Sequence, residues 1–167
     1  YLVDQLSIYA TISLLPQTVL AGWLSDKLGR KPVVISGILL GAIAIYPAFE
    51  LIQHLGNIYK QDGNVQSLIA IGAILITLSC ALALVVGPQS ALLAELFPAK
   101  NRNSAATLPH NLAAGWIGGM LPLIVTWLNQ AWGNNLAGLY YPIIFLMGAA
   151  ITALIYLPET QKNSLDI

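Results

Sequence analysis

Five stretches of the chain are apolar almost without interruption, at residues 6–24, 32–52, 68–93, 104–128 and 140–157, and short polar segments separate them. No Asp, Glu, Lys or Arg occurs at residues 5–25, 32–49 or 67–94. At about 1.5 Å of rise per residue, each stretch can cross a hydrocarbon core of about 30 Å as a helix. A membrane barrel would instead show segments of about ten residues with alternating polarity. The pattern therefore predicts an all-α integral membrane fold with five transmembrane helices.

Composition points the same way. Hydrophobic residues make up 57% and charged residues 8% of the chain, against about 25% charged in soluble domains. The net charge is zero, so no basic field points to nucleic acid, and the expected partner is the lipid bilayer. The lone Cys80 can form no internal disulfide. An enzyme embedded in the membrane would show acids, histidines or cysteines at ligand or nucleophile–base spacing. Here His110 stands without such partners, so no catalytic residue, metal or cofactor is expected. The chain opens on Tyr1 with no signal-peptide order, and reads as a piece of a longer protein cut near the start of a helix.

Charge placement sets the orientation. Five crossings put residues 25–31, residues 98–103 and the C-terminal tail on one side of the membrane. That side carries Lys27, Arg30, Lys31, Lys100, Arg102 and Lys162, and the other carries only Lys60. Basic residues are retained in cytoplasmic loops, so the first side is assigned to the cytoplasm. Residues 54–67 and 129–139 are then the outer loops.

Polar residues inside the apolar runs mark candidate faces. Tyr9, Ser13 and Gln17 recur at i, i+4 and i+8, a single helix face that suits either interhelical hydrogen bonds or a solute cavity. Thr107, Asn111, Gly115 and Gly119 form a second such ladder, with His110 beside it and Pro109 and Pro122 interrupting the backbone bonding. Gly37 and Gly41 are spaced for close helix packing. Pro16, and Gly87 followed by Pro88, predict bends.

Three polar clusters carry a resemblance. Gly22-x3-Asp26-Lys27-x-Gly29-Arg30-Lys31 resembles the motif that follows the second helix of each half in major facilitator superfamily transporters. Glu95-Leu-Phe-Pro98-x3-Arg102 is similar to the segment after their tenth helix, and Leu157-Pro158-Glu159-Thr160 to the end of their twelfth. The order implies helices eight to twelve, most of the C-terminal six-helix bundle of a twelve-helix carrier. Gly87-Pro88-Gln89 and the stretch Leu108-Pro-His-Asn111 look most like the metabolite:proton symporters, which include carriers of proline, betaine, citrate, dicarboxylates and shikimate.

The resemblance implies a secondary active transporter, with protons driving symport of a small organic acid or zwitterion by alternating access in a bacterial inner membrane. Its other half would lie outside this chain. It also implies a conformational latch made of Gly22, Asp26, Gly29, Arg30, Lys31, Glu95 and Arg102, in which Arg30 pairs with Glu95 and Asp26 meets a helix of the other half. Tyr9, Ser13, Gln17, Thr107, His110 and Asn111 are the substrate-cavity candidates. A membrane remnant or scaffold without transport activity is the alternative function.

Overall fold

The structure, a computed structural model, describes residues 2–96 and 102–160, with side chains at 5–96 and 107–160. Helix α1 spans Leu2–Leu28, α2 Arg30–Asp62 and α3 Val65–Leu96. A fourth long helix is built from α4 at Arg102–Leu112, a π-helical segment at Ala113–Gly118 and α5 at Gly119–Trp132. A 3-10 turn at Ala137–Leu139 leads into α6 at Tyr140–Tyr156. Among the described residues there is no strand. Pro98 and Lys100 of the second charged cluster, and Lys162 of the tail, lie outside the described residues, as does the side chain of Arg102.

Helices outrun the apolar stretches that predict them. The segment 54–67, expected as an outer loop, is helical except at Gly63 and Asn64. Residues 53–62 contain no proline, and nothing in a polar composition prevents a helix from continuing into water. Helix α2 stops where Gly63 takes the left-handed conformation at φ 63° and returns its N–H to the Tyr59 carbonyl at 2.9 Å. Asn64 then starts α3 by accepting the Gln66 N–H on its side chain at 2.9 Å.

Four segments are long and apolar enough to cross a membrane: Arg30–Asp62, Val65–Leu96, Thr107–Trp132 and Ala137–Tyr156. Helix α1, with 27 residues, is not among these four, and Ser13, Pro16, Gln17 and Thr18 interrupt its middle. Tyr46 on α2 stacks at 5.8 Å on Tyr140, which also lies 5.9 Å from Trp132. Tyr46 is about 24 Å along the helix from Arg30 at 1.5 Å per residue. This aromatic group therefore lies well away from Arg30, beside the α5–α6 connection.

Helix α3 is the centre of the assembly, with α1 and α2 packed on it and α6 on the far side of α2. The contacts are made by small residues. A side chain on Gly37 would meet Leu84 Cβ at 2.7 Å, and one on Gly87 would meet the Thr18 carbonyl at 2.6 Å and the Gly22 nitrogen at 2.9 Å. A side chain on Gly41, the other half of the predicted packing pair, would face α6 rather than α3 and lie 3.8 Å from Leu146. The buried interior is correspondingly made of Ala21, Ala42, Ala81, Ala83 and Ala150 with Val33, Ile35 and Ile38. Neither the π segment nor α5 buries any residue.

Candidate functional site

The C-terminal ends of α1, α3 and α6 converge with the N-terminal end of α2, and the polar residues there bond to one another. Arg30 is at the centre. Its Nε and Nη2 donate to Glu95 Oε1 at 3.3 and 3.2 Å, and its Nη1 donates to Ser25 Oγ at 2.6 Å and pairs with Asp26. The side chains of Arg30 and Glu95 are only 11% and 12% exposed, whereas that of Asp26 is 59% exposed. Glu95 uses its second oxygen to accept the Thr160 hydroxyl. Ser25, itself buried, donates to the Gly22 carbonyl at 2.7 Å, and the guanidinium is held by three acceptors from two helices, α1 and α3.

Gly29 makes this convergence possible. The sequence leaves open whether the helix runs through Asp26 and Arg30 or turns at Gly29, and the structure does both: α1 ends at Leu28, Gly29 adopts φ 107°, and the two charged side chains still meet. A positive φ of this kind is readily adopted only by glycine. A side chain at this position would also lie 2.6 Å from Glu159 Oε2. That carboxylate takes the place of a capping residue, accepting the Arg30 N–H at 2.8 Å and the Lys31 N–H at 3.3 Å. An anion is favoured there by the unpaired N–H groups of a helix start. Lys31 returns the arrangement by donating its Nζ to the Leu154 carbonyl in the last turn of α6, at 2.9 Å.

Sequence reasoning missed three members of this group: Ser25, Glu159 and Thr160. The signal was present in the acidic Glu159, which closes an apolar helix on the side already rich in basic residues. Of the predicted latch, Asp26, Gly29, Arg30, Lys31 and Glu95 are brought together. Gly22 lies one turn further in, where Gly87 crosses it.

A cavity of about 730 Å³ opens beside that crossing, between α1, α3 and α4. Thr18, Gly22, Gln89, Ser90, Thr107 and His110 give it polar walls, and Val19, Val86 and Leu93 complete it. Thr107 and His110, three residues apart, face it together, and Asn111 is outside its lining. The face expected from Thr107 through Gly119 is interrupted, because the π segment changes the residue spacing between Asn111 and Gly119. Pro122, just beyond the π segment, gives the helix a reason to reorganise there, having no N–H for the Gly118 carbonyl four residues earlier.

The ladder on α1 also divides. Gln17 accepts the Ser79 hydroxyl at 2.9 Å and donates to the Ile76 carbonyl at 3.4 Å, while Ser13 lies 3.4 Å from the same hydroxyl. These two residues bond α1 to α3, whereas Tyr9 is 63% exposed.

The polar end and the cavity sit on a chain whose residues 5–166 match the Major Facilitator Superfamily. The chain is similar to the ectoine/proline transporter ProP of Corynebacterium glutamicum, 32% identical over 147 residues that cover 86% of this chain and 26% of that protein. It is likewise similar to the inner membrane metabolite transport protein YhjE of Escherichia coli, 31% identical over 87% of this chain and 30% of that protein. The citrate-proton symporter of Klebsiella pneumoniae is 27% identical over 81% of this chain and 28% of its own length. This chain thus spans between a quarter and a third of the relatives it matches. No solved structure matches it. A multi-pass helical membrane segment whose motifs and whole length agree in this way has one assignment: the chain belongs to the major facilitator superfamily.

Proposed function

We propose that this chain is most of the C-terminal bundle of a secondary active transporter and that the Arg30–Glu95 group acts as its conformational latch. The observation that carries the proposal is that Arg30, only 9% exposed, is bonded at once to Ser25 and Asp26 on α1 and Glu95 on α3. Partly shielded ion pairs between helix ends are suited to biasing two arrangements of those helices. Only about 1.4 kcal/mol of differential stability changes such a ratio tenfold. The polar end is the cytoplasmic one in this reading, in line with the distribution of basic residues. Arg102, at the first turn of α4, would add a further charge at that end.

The transported solute is a small organic acid or zwitterion, and protons drive its symport across a bacterial inner membrane. Support comes from the relatives, whose names give proline, ectoine and citrate as solutes, and a proton as the coupling ion for the last. The other half of the carrier supplies the opposing wall of the path, and Asp26 is directed to a helix of that half in the closed arrangement. No chemical conversion is assigned to the chain.

Transport by the full-length carrier tests the proposal. Arg30→Ala and Asp26→Asn should slow solute uptake in vesicles while leaving membrane insertion and equilibrium solute binding intact. Wild-type uptake rates in both variants, at equal membrane abundance, would reduce these residues to topology signals. Absence of uptake for every solute by the wild-type carrier would favour the remnant or scaffold.

A further inference from the structure

A second hollow lies on the other flank of the α1–α3 crossing and shares no lining residue with the cavity beside Gly22. Its volume is about 240 Å³. Its floor is Ala21 and Ala83, 4% and 1% exposed, and the larger side chains of Leu20, Trp23, Leu24 and Leu84 flank them. Small residues at a crossing bring two helices close and leave a channel between the bulkier side chains around them. The channel offers a polar molecule almost nothing. Gln17 at its inner end is bonded to Ser79 and to the Ile76 carbonyl of α3, and Cys80 has only a thiol, a weak donor. An apolar chain is the occupant that such a surface fits.

The mouth of the channel is different. Leu20, Trp23, Leu24 and Lys27 stand at i, i+3, i+4 and i+7 on α1, a single stripe of that helix. The first three line the channel, and the Lys27 ammonium lies over the Trp23 ring, 3.8 Å from its centre, where the face of the indole attracts a cation. The acids at this end of the bundle are engaged elsewhere: Asp26 and Glu95 pair with Arg30, and Glu159 accepts the first N–H groups of α2. Lys27 is exposed, and it forms no ion pair with a carboxylate among the described residues. Ten residues separate Lys27 from Gln17, about 15 Å at 1.5 Å per residue, which is the depth of one leaflet in a hydrocarbon core of about 30 Å. A ligand that fills the site therefore has an anion at one end and an apolar chain about one leaflet long.

We propose that Lys27, Trp23 and the channel between α1 and α3 bind one anionic phospholipid, with its phosphate on the Lys27 ammonium and an acyl chain laid along Ala21 and Ala83. The lipid is a partner of the folded bundle and not a solute, because it occupies the flank opposite the cavity beside Gly22. A zwitterionic lipid brings its own cation to the same mouth and is the weaker ligand. One lysine beside an anionic headgroup contributes about 1 kcal/mol, which is about fivefold in affinity.

Cys80 lines the channel and is the one cysteine of this chain, so its alkylation reports whether the channel is filled. The test uses the full-length carrier with any cysteine outside this chain replaced by serine. The rate of modification by N-ethylmaleimide is measured in uncharged detergent micelles with phosphatidylglycerol or phosphatidylcholine of the same acyl chains. Phosphatidylglycerol should slow the reaction half-maximally at about one-fifth of the mole fraction that phosphatidylcholine requires. Lys27→Gln should remove that preference, and Lys27→Arg should keep it. A control with Cys80→Ser and Leu82→Cys places the thiol at an exposed position of α3 outside the channel lining, where the two lipids should act alike. Equal potency of the two lipids at Cys80, no protection by either, or an unchanged preference in Lys27→Gln would overturn the proposal. The same preference at Leu82→Cys would also overturn it, by tracing the effect to the charge of the micelle. Protection that grows with carrier concentration in the absence of lipid would assign the channel to a second copy instead. No uptake enters these measurements, so their outcome is independent of the transporter reading.

Discussion

Lys31 and Glu159 exchange helix ends. Glu159, three residues beyond α6, accepts the first N–H groups of α2, and Lys31, in the first turn of α2, donates to a carbonyl in the last turn of α6. Each charge therefore lies at the terminus whose partial charge it opposes. The segment after α6 is held down by this exchange and by Thr160, which is fully buried and bonded to Glu95.

Charge removal at the two ends of this network should have unequal effects. Glu95→Gln leaves the guanidinium of Arg30 shielded with one neutralised partner, and breaking a buried pair in this way costs about 3 kcal/mol. Asp26→Asn removes a partner that is mostly in solvent, where pairs contribute about 0–1 kcal/mol. Thermal unfolding of the detergent-solubilised carrier should show a clear drop for the first and almost none for the second. Equal drops would show that the network does not depend on its burial.

Gly29→Ala and Glu159→Ala should be coupled. The first introduces about 1–2 kcal/mol of left-handed strain and a clash with the Glu159 carboxylate. The second uncaps α2 at about 1 kcal/mol. A double-mutant cycle should find the pair less costly than the sum of the single changes, because the clash vanishes with the carboxylate while the backbone strain stays. Strict additivity would mean that the two residues do not touch in solution.

Glycine replacements should separate the helix crossings. Gly87→Ala meets backbone atoms of α1 at 2.6–2.9 Å, and such overpacking costs about 1–3 kcal/mol. Gly41→Ala has only the end of Leu146 at 3.8 Å in front of it and should stay within about 0.5 kcal/mol. Membrane abundance and melting temperature of the two variants check this contrast.

Cysteine labelling should divide the α1 ladder. A cysteine at Tyr9 should react readily with an aqueous thiol reagent if that face borders the solute path, whereas one at Ser13 should react slowly because it is turned toward Ser79 and α3. Equal rates at both positions would contradict the division.

The helical class and the polar end were legible because they depend on local quantities, the length of uncharged runs and the side on which basic residues collect. Arg30 with Glu95 was accessible only through the resemblance, since 65 positions separate them and no spacing rule connects two helix ends. Glu159 and Thr160 escaped because their role depends on the tail folding back under α2. The i+4 ladders left two readings open. Periodicity identifies residues that share a face but not what that face meets, so Ser13 and Gln17 turned out to bond a neighbour. Asn111 keeps its i+4 spacing from Thr107 yet lies outside the cavity lining, which the packing of α4 decides and the spacing does not.

The π segment at Ala113–Gly118 also bears on how this helix tolerates changes in length. A turn with i→i+5 bonding holds one residue more than an α-turn over nearly the same path. Deleting a single residue there would let the turn revert to ordinary α geometry with Arg102–Leu112 and Gly119–Trp132 kept in register, whereas the same deletion elsewhere in the helix would rotate everything after it by about 100°. The segment is thus a one-residue reserve of chain, and single deletions within it should be the ones this helix survives.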